Sequence, residues 1–230
     1  MSQLSIKLGY WSAVLSIVLG IGYGIGLGAL IVLFPTPQWT GLADFLTAVQ
    51  PASLFCLTLC QVTMFLSAPL NVILFCSLHD YAPPDKKILT RIGLCAMTAT
   101  MVLGNQMYFV HFNVARQIIS KGILAGLDQF VEWNPNSVIT ATGILGWTFF
   151  LGLAFTFVAP VFSGGRLEQG LRYAFLICGG CAILGTIGFL FENIVFQLVY
   201  VMGITLAGTT AAILASILFK RLQNRASPVA

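Results

Sequence analysis

Charged side chains are scarce in this sequence. Eleven Lys and Arg and seven Asp and Glu stand among 230 residues, 8% of the chain, where soluble domains carry about 25%. So little charge argues against a separate soluble domain and against a nucleotide-binding or nucleic-acid-binding module. Catalytic signatures are missing as well: H-E-x-x-H, Walker A, G-x-S-x-G and paired intramembrane Asp do not occur. Their absence argues against the commoner intramembrane proteases and ATP-driven machines. No catalytic residue, cofactor or metal is assigned from the sequence.

What the chain has is length without charge. The runs 10–33, 52–78, 92–112, 137–162, 173–191 and 193–219 carry no acidic or basic side chain apart from His111. A helix crosses the hydrocarbon core with roughly 20 apolar residues. With 58% hydrophobic residues and a mean hydropathy of +0.93, the sequence predicts an all-α polytopic bundle of six transmembrane helices. It forms a single integral membrane domain over residues 1–230. The last two runs together hold 47 residues with one charge, Glu192. As one helix they would be roughly 70 Å long, so the chain must turn back at Glu192–Asn193.

The first run is too long for the apolar core of a signal peptide, about 7–15 residues, and reads as a retained helix. Gly20, Gly24 and Gly28 recur every four residues on one face. Such a face lets another backbone come close, either within the bundle or in a homo-oligomer.

Basic residues divide unevenly between the two sets of flanks. Lys7, Lys86, Lys87, Arg91, Arg166, Arg172, Lys220, Arg221 and Arg225 fall on one side, and only Arg116 and Lys121 on the other. The excess of Lys and Arg marks the cytoplasmic side, so both termini are expected there, in contact with the lipid bilayer and not with nucleic acid.

Two long connections then lie on the outer side. In the first, Leu42, Phe45, Leu46 and Val49 recur at helical spacing; in the second, Ile123, Leu127, Phe130 and Val131 do. Trp39 and Trp133 accompany them. Each reads as a short amphipathic interfacial helix, acting as a surface anchor, as a lid over an outward-facing cavity, or as both.

Polar groups inside spans are functional pointers. The candidate ligand-binding residues are His111, Arg116, Glu192, Gln197 and Asn105, gathered where the outer halves of the third and fifth spans are expected to meet. Histidine exchanges protons near neutral pH, and the planar guanidinium of Arg116 suits an anionic headgroup or carboxylate. Gln61, Asn71 and Gln106 add amides to a polar path. The bland alternative is that the charges are interface residues and the amides bond neighbouring helices. Cys178-x-x-Cys181 and the pair Cys56 and Cys60 lie in apolar runs and read as small hydrophobes ahead of redox or metal sites.

The block Tyr108-Phe109…Val114-Ala115-Arg116…Gly122…Asn134-Pro135-Asn136-Ser137-Val138…Leu145-Gly146…Ala159-Pro160-Val161-Phe162…Arg166-Leu167-Glu168…Leu171-Arg172 resembles a group of uncharacterised multi-span prokaryotic membrane proteins. The resemblance implies a prokaryotic cell (inner) membrane and no particular reaction. In that group a carboxylate often follows the alanine of the fourth span; here Ala141 is followed by Thr142, so no role for it transfers.

These observations favour a non-enzymatic integral membrane protein with solute or lipid binding and transport-like activity. A membrane enzyme acting on a lipid and an accessory or sensor protein are the alternatives. The charge asymmetry gives a direct test. An impermeant thiol reagent added from outside should label a cysteine placed at Asp128 and miss one placed at Glu168; the reverse pattern overturns the orientation.

Overall fold

The computed structural model describes residues 1–226 and has no strand among them. Six helices are long and apolar enough to cross a membrane: Gln3–Val32, Pro51–Tyr81, Pro84–Ser120, Val138–Val161, Arg166–Leu190 and Ile194–Arg225. They are called the first to sixth spans. With this architecture the chain is an integral membrane protein. The first connection contains the short helix Leu42–Ala48.

Each span packs on its neighbours in sequence, and the sixth returns to the first, so the six helices close a ring. The third span packs on the second and fourth, and the fifth on the fourth and sixth. Large apolar side chains such as Leu15, Val18, Ile21 and Ile25 face outward, as a bilayer requires.

At the end rich in Lys and Arg, aromatic rings fill the ring's interior. Phe175 lies 4.9 Å from Phe155 and 5.2 Å from Phe162, and Phe75 meets Phe155 edge-on at 5.6 Å. Glu168 clasps this end. It accepts hydrogen bonds from the Tyr81 hydroxyl at 2.8 Å and from the backbone N–H of Gly164 at 2.8 Å and Ser163 at 3.2 Å. Lys86 donates to the Pro160 carbonyl at 2.8 Å and the Ser163 hydroxyl at 2.9 Å. The fourth span ends at Val161, which leaves its last carbonyls without helical partners, and the ammonium group supplies one to Pro160.

The turn between the fifth and sixth spans falls at Glu192–Asn193. Glu192 has φ 52°, a left-handed conformation that a side chain tolerates poorly. The Asn193 side chain accepts from the N–H groups of Val195 and Phe196 at 3.0 and 3.2 Å, capping the sixth span.

The glycines of the first span serve two neighbours. A Cβ at Gly20 would lie 2.9 Å from Thr209 Oγ1 and one at Gly24 3.6 Å from Thr205 Cγ2, both on the sixth span. One at Gly26 would lie 2.8 Å from Cys60 Sγ and 3.2 Å from the Cys56 carbonyl oxygen, on the second. Of the two readings of Gly20, Gly24 and Gly28, packing within the bundle holds for the first two, which lie against the sixth span. Gly28 faces open space.

This asymmetry predicts that Gly26→Val, which forces the first and second spans apart, lowers stability by about 1–3 kcal/mol. Gly28→Val should stay within about 0.5 kcal/mol of the parent. Thermal unfolding of the purified protein in one detergent compares the two, and equal effects would contradict the packing.

Candidate functional site

The connection between the third and fourth spans does not form the expected amphipathic helix. Gly122 and Gly126 take φ of 72° and 79°, left-handed turns that stop a helix from running through. Only Asp128–Phe130 forms a 3-10 turn. Of the four residues at helical spacing, Ile123 and Phe130 are exposed, whereas Leu127 and Val131 are buried against Leu42 and Ala115. Phe45 of the first connection stacks on Trp133 at 5.1 Å. The two connections thus bury apolar faces against each other and form one cap over this end of the ring.

From this cap a carboxylate enters the bundle. The Gln61 amide nitrogen donates to Glu132 Oε2. Gln61 is the eleventh residue of the second span, roughly 15 Å of helix from its start at 1.5 Å per residue. Gln61 is 2% exposed and Glu132 is half-buried, so the carboxyl oxygen that meets the amide is withdrawn from bulk water although the side chain is not fully covered. Burial pushes the Glu132 carboxyl from 4.5 up to about 7; the hydrogen bond from Gln61 and the nearby Arg116 charge oppose that shift but do not cancel it. The first span's Tyr23, the second span's Cys60 and the third span's Tyr108 are within reach of its charge.

Arg116 pins the same region to the second span. It donates through Nη2 to the Thr58 hydroxyl, and its guanidinium stands 5.5 Å from the centre of the Phe112 ring, a cation–π arrangement. His111 is fully buried, edge-on to Trp133 at 4.6 Å, and neither ring nitrogen has a hydrogen-bond partner. Gln61 Oε1 is also buried without a partner.

The five candidate residues therefore separate. His111 and Arg116 share the cap with Glu132. Glu192 is exposed at the tip of the hairpin between the fifth and sixth spans, and Gln197 donates to the Gly188 carbonyl at 3.2 Å within that hairpin. The fourth span stands between the third and fifth in the ring, so the two pairs belong to different places.

Asn105 has a packing role. Pro69 lies inside the second span and has no N–H for the carbonyl four residues earlier. That carbonyl belongs to Phe65, and Asn105 Nδ2 donates to it at 3.0 Å.

Glu132 is the site residue that the sequence reading passed over. It stands in a connection, outside the uncharged runs where intramembrane polar groups were sought. The signal available was local: a single carboxylate set between Val131 and Trp133, inside an apolar patch that a solvated charge would interrupt.

Below the cap, a cavity of about 90 Å³ lies within the ring. One water needs roughly 10–15 Å³ of such space, so the volume suits several waters or one small molecule. Five of the six spans line it, including Ser16 and Tyr23 of the first, Asn71 of the second, Trp147 of the fourth, Cys178 of the fifth and Thr205 of the sixth. No charged side chain is among the lining residues. Two π-helical turns, Gly146–Phe150 and Ile204–Gly208, supply Trp147, Ile204, Thr205 and Gly208 to the wall. A third, His111–Ala115, carries His111. Such turns recur at functional sites.

Comparison with protein-family models, with curated proteins and with solved structures finds no match. Function must therefore be argued from the cavity and its cap.

The Asn105 bond yields a two-variant test. Asn105→Ala should cost about 1–3 kcal/mol by leaving the Phe65 carbonyl unpaired. In a Pro69→Ala background, where residue 69 regains its own N–H, the same change should cost measurably less. Equal costs in both backgrounds, measured by thermal unfolding, would remove the assigned role.

Proposed function

We propose that this protein binds a small, neutral, largely apolar solute inside the ring and passes it between the cavity and the capped end. In this reading it is a solute-binding, transport-like membrane protein, ahead of a membrane enzyme acting on a lipid. The observation that carries the reading is the uncharged cavity walled by five spans. An ion placed there would lose its hydration with no opposite charge to replace it, a cost of many kcal/mol. A neutral molecule loses little and gains apolar contact, with hydroxyl and amide groups at the wall to orient one polar atom. The capped end supplies the route, since the cap is held to the spans by a few side-chain contacts instead of by a continuous helix.

In this reading the capped end is the outer side and both termini are cytoplasmic, following the distribution of Lys and Arg. Membership of the uncharacterised prokaryotic group and a place in the prokaryotic inner membrane accompany it. Lipid binding is the second reading, supported by the large exposed apolar faces of the first and sixth spans.

Filling the cavity tests the proposal. A Cβ at Gly208 would meet nothing closer than Cys178 Sγ at 3.8 Å, and one at Gly180 nothing within 4 Å. Gly208→Leu fits the backbone and occupies the cavity, whereas Gly180→Leu adds the same side chain elsewhere. Saturation-transfer NMR in nanodiscs, with empty discs subtracted, should show 1-hexanol bound to the parent and to Gly180→Leu but not to Gly208→Leu. Hexylammonium should bind to none of them. Equal hexanol signals in all three proteins would end the cavity reading.

A further inference from the structure

Gln61 meets Glu132 through its amide nitrogen, while its amide oxygen, in the same buried place, has no donor. An ionised carboxylate cannot supply one, because it only accepts hydrogen bonds. A protonated carboxyl group carries the missing O–H. A carboxylic acid and a primary amide are complementary at both atoms, each donating once and accepting once. The groups are already joined by one hydrogen bond, and a proton on Glu132 supplies the kind of donor that the Gln61 oxygen lacks.

We infer that the Glu132–Gln61 pair is a proton-binding site that latches the cap: protonated Glu132 donates to the amide oxygen of Gln61 while accepting from its amide nitrogen, and loss of that proton releases residues 121–137 from the second span. On ionisation the O–H···O bond breaks, the proton passes to water, and the Gln61 oxygen again lacks a donor while the carboxylate carries a charge in partly buried surroundings. A buried acceptor without a donor and a buried charge are both costly. Both costs fall when the segment lifts and water reaches the carboxylate.

The groups facing Glu132 have distinct parts. Arg116, at the cap end of the third span, is permanently charged and bonded to Thr58; it favours ionised Glu132 and opposes the latch. Tyr23, Cys60 and Tyr108, on the first, second and third spans, are near enough to feel the carboxylate's charge. His111 touches the same segment through the ring of Trp133. The latch rests on the proposed function only in what the cap admits, a solute on its way to the cavity.

The sign follows from the carboxyl group's shift. Its value is about 7 with the cap closed and 4.5 where freely hydrated. The closed cap binds the proton more tightly, so closure is favoured fully at low pH, weakens as pH rises from about 5 to about 7, and levels off above. One proton gives a slope of up to about tenfold in the closed-to-open ratio per pH unit across that window.

Backbone amide exchange over residues 123–137 in nanodiscs, corrected for intrinsic exchange, reads the ratio directly. In the parent protein, protection should fall across the window and flatten above it. Glu132→Gln, which stays neutral and keeps an N–H donor for the Gln61 oxygen, should hold high protection at every pH. Gln61→Leu should show low protection throughout, and His111→Gln should keep the parent's pH profile. Protection that does not change with pH in the parent, or an unchanged slope in Glu132→Gln, overturns the latch. So does a slope lost in His111→Gln, which would put the proton on the histidine. Hexanol binding at pH 5.5, measured on the same samples, separates the two ideas: a pH-linked cap without hexanol binding leaves the latch standing and removes the solute reading, and hexanol binding under a pH-insensitive cap does the reverse.

Discussion

A peptide group in hydrocarbon has no water to turn to, and each one left unpaired costs several kcal/mol. That single constraint explains most of what is unusual here. It makes every span a helix. It also dictates how each break in a helix is mended. Pro69 frees the Phe65 carbonyl, and Asn105 comes across from the third span to bond it. The fourth span ends at Val161, and Lys86 bonds the orphaned Pro160 carbonyl at the basic end. The fourth span starts at Ser137, whose hydroxyl accepts from the Thr140 N–H at 3.1 Å. Irregular backbone is tolerated only where protein or water meets its polar groups; residues 121–130 are mostly exposed, and Leu127 and Val131 are the points where this connection tucks against Leu42.

The same constraint shapes the distribution of charge. The two ends of the ring hold their polar groups differently. At the basic end, Glu168, Tyr81, Lys86 and Ser163 satisfy one another. At the capped end the accounts do not close: Gln61 Oε1, both nitrogens of His111 and the indole nitrogen of Trp133 are buried without partners. Buried polar atoms are usually paired. One end thus behaves as a fixed floor, packed with Phe75, Phe155, Phe162 and Phe175, and the other keeps unspent hydrogen-bonding capacity. Unsatisfied groups of this kind are what a moving part or a binding site needs, since a fully paired network resists rearrangement.

The bundle was legible in the sequence because its signal is long: six runs of uncharged residues admit few other arrangements. The turn at Glu192–Asn193 was legible for the same reason, since 47 residues cannot cross once. The second connection was not. Ile123, Leu127, Phe130 and Val131 have helical spacing, but Gly122 and Gly126 favour left-handed turns, and periodicity over nine residues is weak beside that. Of the candidate residues, His111 and Arg116 come together, while Glu192 and Gln197 stand apart from them. His111 and Arg116 lie on one helix and stay together whatever the tertiary arrangement. Glu192 and Gln197 depend on which spans are neighbours, and spacing along a chain does not encode ring order. Glu132 was hidden because its burial arises from the folding of a connection back into the ring, an event with no period to read.

Cap and cavity form one system through the second span. Gln61 holds the cap, and Thr63 and Met64, on the next turn, line the cavity. The first span repeats the pattern, with Tyr23 both lining the cavity and within reach of the Glu132 charge. Through Gln61, Glu132 and the cavity wall are thus one helical turn apart on the second span. The π-turns fit the same scheme. Each places an extra residue in a helical turn and turns a side chain away from the regular ridge, and the three of them deliver His111 to the cap and Trp147 and Thr205 to the wall. A regular six-helix ring would pack its interior closed. Two of the departures from regularity, the π-turns Gly146–Phe150 and Ile204–Gly208, fall where this ring stays open.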